Sequence, residues 1–193
     1  IIGSLHNLQP KISQSISSFE DTYPEAKQFI AVMIGGNTKK YTFSVKDARE
    51  LANSISNVST NHGLAVFISF SRRTPYAVKA LFRDMFKWPN IIYDPEEGNG
   101  YNPYFGMMAK CTFLITTCDS ISMCSEATAS GKPLYIFCPK RKNMQKHRYF
   151  VQQLVDLKIA RTLEPDTETL EHYAYSPFDE ALKVANFIKE NIM

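Results

Sequence analysis

The sequence of 193 residues has no apolar run long enough to span a bilayer, and its opening, Ile1-Ile2-Gly3, is no signal peptide. Neither a membrane-spanning fold nor a secretory leader is expected. The chain also lacks an initiator Met, which reads as a domain excised from a longer protein. Cys-x-x-Cys spacing is missing: Cys111, Cys118, Cys124 and Cys138 crowd into one stretch, each in or beside an expected strand or buried helix face. They are read as small apolar core residues in a reducing compartment. His6, His62, His147 and His172 are scattered and fit no ligand spacing, so no metal site and no resident cofactor are expected. Repeats and low-complexity tracts are absent, as are the G-x-G-x-x-G and Walker patterns. A formal net charge of +3 is too weak to argue for nucleic acid, though it leaves room for an anionic ligand.

What remains is the composition of a soluble globular chain, 44% hydrophobic and 21% charged, enough for one substantial core. Apolar runs alternate with helical patterns from residue 28 onward, which predicts an α/β fold with about six parallel strands covered on both faces. Strands are expected at Gln28–Ile34, Leu64–Phe70, Asn90–Tyr93, Thr112–Thr117, Leu134–Cys138 and Ala160–Thr162. Helices fall between them, from about Val45 to Asn57 after a Ser44-x-x-Asp47 capping box, after a Thr74 N-cap with Pro75, and at Tyr104–Lys110. Others are expected at Ile121–Ser130, Asn143–Leu157 and Pro177–Ile192. Residues 1–24 read as an interdomain linker with a short helix at Pro10–Asp21, and residues 25–193 as the domain proper.

The most informative segment runs from Thr112 to Pro133. A buried strand breaks at Asp119-Ser120 straight into a helix, whose free N–H groups and positive dipole end favour a phosphate. Ser122 and Glu126, four apart, share one helix face, so a carboxylate stands just behind the anion site where ribose hydroxyls would meet it. The competing reading is an ordinary capped helix with a solvated Glu126.

Two further loops leave carboxyl ends of strands, where open parallel sheets bind ligands. In Gly35-Gly36-Asn37-Thr38-Lys39-Lys40-Tyr41 the glycines permit close backbone approach and the polar residues supply contacts; a plain turn is the alternative. In Ser71-Arg72-Arg73-Thr74-Pro75 two guanidinium groups stand at a helix start that repels cations, which points to a bound anion unless they reach surface carboxylates instead. The acidic, glycine-rich loop Asp94–Pro103 suits a sugar or base edge, or is merely solvated. Its Asp94, Glu96 and Glu97 would be acid/base groups only if burial raised a pKa. Lys140, Arg141, Lys142, Lys146, His147 and Arg148 form the one basic cluster, suited to a membrane surface, a diphosphate or a partner protein, or to plain solvent.

The stretches Gly35–Tyr41, Ser71-Arg72-Arg73-Thr74-Pro75, Asn102-Pro103-Tyr104 and Asp119-Ser120-Ile121-Ser122-Met123-Cys124-Ser125-Glu126-Ala127, with Gly131-Lys132-Pro133, resemble the C-terminal half of the mitochondrial fission family named for elongated plant mitochondria. That family in turn resembles GT-B glycosyltransferases, two Rossmann-like domains facing across a cleft. The resemblance implies a Rossmann-like, nucleotide-sugar-binding domain taking UDP-sugars without metal. It implies that Gly35, Gly36, Asn37, Thr38, Ser71, Arg72, Arg73, Ser120, Ser122 and Glu126 meet the nucleotide and its phosphates, with Asn102, Tyr104 and Asp119 as sugar or base contacts. The terminal helix and Ile1–Leu8, with His6, would belong to the connection to a missing N-terminal domain. No catalytic base is evident, so the domain alone is expected to be inactive. A nucleotide-sugar 2-epimerase and a non-enzymatic fission adaptor are the alternatives. The expected location is cytoplasmic, with peripheral membrane contact through the basic cluster.

Overall fold

In the computed structural model, residues 3–4, 6–39, 41–98, 100–140, 144–177, 184 and 187–190 are described. Lys40, Asn99, Arg141, Lys142 and most of the helix expected at Pro177–Ile192 lie outside them, as do Ile1, Ile2 and Leu5.

Six parallel strands form one sheet: β1 (Phe29–Ile34), β2 (Ala65–Phe70), β3 (Ile91–Tyr93), β4 (Phe113–Thr117), β5 (Leu134–Phe137) and β6 (Ala160–Thr162). They lie in the order β3-β2-β1-β4-β5-β6, so the chain direction across the sheet reverses between β1 and β4. Every residue of β1, β4 and β5 is buried, the signature of parallel strands covered on both faces, whereas the three-residue edge strands β3 and β6 are partly exposed.

The helices are α1 (Gln9–Thr22), α2 (Val45–His62), α3 (Tyr76–Met85), α4 (Tyr104–Lys110), α5 (Ile121–Thr128) and α6 (Gln145–Asp156). The expected capping box closes the start of α2: Ser44 Oγ accepts from the Asp47 N–H at 3.2 Å, and Asp47 Oδ2 accepts from the Ser44 N–H at 3.2 Å. Helix α2 runs past its expected end at Asn57 to Gly63, which takes a left-handed φ of 63° and donates to the Ser59 and Thr60 carbonyls. Thr74 is not the cap of α3. Pro75 holds that position, and the Thr74 hydroxyl is buried in the loop wall instead.

Helix α1, at the expected position, is built into the core of this domain. Its Phe19 is fully buried, stacks on Phe29 with centroids 5.8 Å apart, and meets α4 where Gly106 leaves room for the ring. A Cβ on Gly106 would lie 2.5 Å from Phe19 Cβ. The small residue therefore sets how closely the two helices pack.

The expectation of four reduced core thiols is corrected for two of them. The register that pairs Thr117 with Phe137 brings Cys118 and Cys138 side by side at the strand ends, with Cα atoms 5.2 Å apart, and they form a disulfide. Cys111 and Cys124 are free and buried, and burial pushes the Cys111 thiol up to about 12. Among the described residues no helix is long and apolar enough to cross a membrane, and no group of three His, Cys, Asp or Glu could hold a metal ion.

Gly106→Ala should destabilise the domain by roughly 1–3 kcal/mol through overpacking. Paired with Phe19→Ala, the two losses should be partly sub-additive in urea titrations, because the second substitution removes the ring atoms Cγ and Cδ2 that the first one strikes and leaves only the contact with Cβ. Additive losses would show that the contact does not set the helix spacing.

Candidate nucleotide-binding cleft

Above the carboxyl ends of the strands, where the strand order reverses, lies a cleft of about 490 Å³. Its volume falls within the range of small-molecule sites. Met33, Ile34 and Phe70 supply an apolar floor, and the polar rim comes from Ser71, Arg72, Arg73, Asn102, Tyr104, Ser120, Ser122 and Glu126.

At one end stands the start of α5. Ser120 is its N-cap, accepting from the Met123 N–H at 3.3 Å. The N–H groups of Ile121 and Ser122 have no partner among the described residues. They aim the positive end of the helix at the cleft. One turn further along, Glu126 also lines the cleft and accepts from the Tyr104 hydroxyl at 2.7 Å.

The glycine loop behaves differently from expectation. Gly35, Gly36, Asn37 and Thr38 do not line the cleft, because their polar groups are taken by the protein itself. The Gly35 N–H donates to Thr117 Oγ1 at 2.8 Å, the Gly36 N–H to Asp119 Oδ2 at 2.9 Å and the Asn37 N–H to the Arg73 carbonyl at 3.0 Å. Thr38 Oγ1 accepts from the Tyr41 N–H. The glycines serve close packing: a Cβ on Gly36 would lie 2.0 Å from the Arg73 carbonyl oxygen, and one on Gly35 would strike the Asp119 carboxylate.

Asp119, expected to touch sugar or base, is turned into this wall with 4% exposure. Besides Gly36 it accepts from Thr117 Oγ1 at 2.6 Å and from Arg73 Nη2 at 3.3 Å. Burial pushes its carboxyl above the usual range, while the bonds from Thr117 and Gly36 and the charge of Arg73 oppose that push. Thr74 completes the lock: its hydroxyl donates to the Gly35 carbonyl at 2.6 Å and accepts from the Ser71 N–H at 3.0 Å. Arg73 is further tied to the Asn37 carbonyl at 2.9 Å. The two arginines are thereby separated in role, since Arg72 reaches the cleft with no partner among the described residues.

The condition set for an acid/base group in the acidic loop is not met at Asp94. Asp94 is not a raised-pKa acid. Burial alone would raise its carboxyl, but bonds from Lys79 Nζ at 2.9 Å, the Glu96 N–H and Arg83 Nη2 at 2.7 Å outweigh this and hold it below the usual range. Glu96 and Glu97 pair outside it with Lys79 and Arg83. Lys79 and Arg83, one turn apart on α3, therefore staple the loop that brings Tyr93, Pro95 and Asn102 to the cleft. Their signal in the sequence was an i, i+4 cation pair preceding an acidic loop. Of the basic cluster, Lys140 pairs with Glu164 at 3.2 Å, and Lys146 and Arg148 are exposed on α6, away from the cleft lining.

Residues 1–192 match the family model described as Mitochondrial fission ELM1. The chain belongs to that family. It is 45% identical over 190 residues to an uncharacterized protein, RP120, of Rickettsia prowazekii (strain Madrid E), covering 98% of this chain and 54% of that protein. To the mitochondrial fission protein ELM1 of Arabidopsis thaliana it is 26% identical over 194 residues, covering 98% of this chain and 44% of that one. The chain thus spans about half the length of these family members. Among solved structures it is similar to the Methanocaldococcus jannaschii UDP-GlcNAc 2-epimerase, solved in complex with UDP-GlcNAc and UDP, with a TM-score of 0.60 at 12% identity over 94% of this chain and 51% of that one. It is also similar to ALG13, with a TM-score of 0.50 at 11% identity over 88% of this chain and 98% of that one. These likenesses, with the six-stranded parallel sheet, establish an α/β, Rossmann-like fold for this member of the fission family.

Chemically, the cleft pairs unsatisfied donors and a cation with one acceptor-only carboxylate. Among the described residues that line it, Glu126 is the only acid, and no histidine, cysteine or lysine is present.

Because the carboxyl of Asp94 is held low in the fold, its contribution to stability is present above the ordinary carboxylate value of 3.8 and is lost as pH falls through its lower folded value. Urea stability should therefore drop below pH about 4 in the wild type and flatten there in Asp94→Asn. Parallel acid limbs in the two proteins would count against the staple.

Proposed function

We propose that this chain is the nucleotide-sugar-binding domain of a glycosyltransferase-like protein, taking a uridine diphosphate sugar by preference. The observation that carries the reading is the co-location, in one cleft, of the first N–H groups of α5 and of Arg72, all without a partner among the described residues, with the carboxylate of Glu126. Ser122 and Glu126 stand one turn apart, about 6 Å along the helix axis. A nucleoside diphosphate presents two groups in the same order, phosphate first and ribose hydroxyls behind it. Phosphate binding here draws on backbone dipoles and a guanidinium rather than on a metal. The likeness to an epimerase solved with UDP supports the choice of nucleotide.

Catalysis requires more than this cleft holds. A base or acceptor-binding groups would come from a second, N-terminal domain, joined through the segment ahead of α1 and matching the length by which the relatives exceed this chain. The isolated domain would bind without turning over. In the complete protein, product analysis with and without an acceptor separates transfer from 2-epimerisation, since only the epimerase changes the sugar unaided.

Calorimetry of UDP, GDP and ADP and their sugars against the complete protein tests the reading. Glu126→Ala should weaken UDP binding by roughly 1–3 kcal/mol, the scale for a hydrogen bond to a charged group. Arg72→Ala should weaken it about tenfold or more while leaving thermal unfolding in place. Arg73→Ala should lower the unfolding temperature, because that side chain is spent on Asp119 and Asn37. No detectable binding of any nucleotide would remove the proposal.

A further inference from the structure

Tyr104 is fixed at both ends. Its backbone N–H donates to Asn102 Oδ1 at 3.0 Å, its ring meets Phe105 edge-on with centroids 5.3 Å apart, and its hydroxyl donates to Glu126 Oε2 at 2.7 Å. Burial and the neighbouring carboxylate push the phenol well above its ordinary value, so the hydroxyl stays a donor at every accessible pH. Glu126 in turn has no other partner among the described residues.

That arrangement poses an electrostatic problem. An ionised carboxylate only accepts hydrogen bonds, and Tyr104 satisfies one of its several lone-pair sites. It stands one turn behind amides that attract an anion, so it repels the same anion unless the ligand places neutral donors against it. A vicinal diol is such a donor pair. We infer that Tyr104 is a positioning residue that fixes the Glu126 carboxylate so that the cleft selects ribonucleotides over 2′-deoxyribonucleotides. The inference rests on the nucleotide reading above and adds to it the source of sugar-ring selectivity. Holding Glu126 in place before the ligand arrives removes an ordering cost from binding. A deoxyribose would leave the carboxylate short of a donor, and a site built for a hydroxyl discriminates strongly against its loss.

The test is calorimetry of UDP and 2′-deoxy-UDP against the full-length protein, as wild type and as Tyr104→Phe, with thermal unfolding as a check on folding. Wild type should bind UDP at least about tenfold more tightly than 2′-deoxy-UDP. Tyr104→Phe should weaken UDP binding by about three- to tenfold and 2′-deoxy-UDP, which keeps only the 3′-hydroxyl, by clearly less, so that the ratio falls toward one. A merely structural role for the hydroxyl would lower both affinities together and keep the ratio. An unchanged ratio in Tyr104→Phe overturns the inference, and so does equal binding of the two ligands by wild type, which needs no variant to establish. In either case the bound UDP leaves the nucleotide reading standing, whereas binding of neither ligand ends both.

Discussion

The buried carboxylate of Asp119 is the interaction on which the upper edge of the sheet depends. It stands just past β4, at the point where the strand order reverses, and reaches the backbone just past β1 and the guanidinium just past β2. Three loops that the topology merely brings near one another are thereby joined into one wall. A carboxylate this deeply buried is tolerated only because Thr117, Gly36 and Arg73 all bond to it, and removing any of them would leave charge uncompensated in a low-dielectric place. The glycines follow from the same constraint. Gly35 has no side chain because the carboxylate occupies that space, and Gly36 has none because the Arg73 carbonyl does.

With that wall fixed, the cleft acquires its polarity by subtraction. Donors facing the Gly35–Thr38 turn are consumed internally, and Arg73 is neutralised by Asp119. The unspent positive potential is left to the first amides of α5 and to Arg72. On the opposite side of the cleft the second ionic cluster performs an analogous service. Lys79 and Arg83 clamp Asp94, Glu96 and Glu97, so an acidic loop that would otherwise repel an anion presents Pro95, Tyr93 and Asn102 to the ligand space. Both clusters have the same consequence: charges that would blur the field of the site are paired off outside it.

This also explains how far the sequence could be read. The strands were legible because parallel, doubly covered strands must be apolar throughout, and α2, α4 and α5 could be placed because their starts carry local chemistry in Ser44 and Asp47, Asn102-Pro103, and Ser120. That Ser120, Ser122 and Glu126 would line one cleft was legible for the same reason, since a strand running directly into a helix dictates where the free amides point. The role of the glycine loop was not legible. Whether a backbone donor is free or spent depends on residues far along the chain, here Thr117 and Asp119, more than 80 positions away. The same holds for Thr74, whose hydroxyl found a better partner in the Gly35 carbonyl than in its own helix, and for the Cys118–Cys138 pair, which strand register alone brings together.

The two acids of the β4–α5 unit show how one short segment divides structure from recognition. Asp119 lies below the helix end, where burial forces it to collect internal donors, and it is unavailable to any ligand. Glu126 lies one turn into the helix, where the wall opens, and its one described partner is a neutral hydroxyl that holds it without cancelling its charge. Had Glu126 met a cation instead, it would have been neutralised as Asp119 is, and the cleft would select any phosphate ester. On the reading proposed above, left charged beside the free amides, it would make binding conditional on hydroxyl donors at a set distance from a phosphate. A simple anion would gain the amides but meet the carboxylate unshielded, whereas a nucleotide would satisfy both. Selectivity of that kind would follow from the pairing of Asp119 with Arg73 and of Glu126 with Tyr104, and exchanging the two partnerships would abolish it.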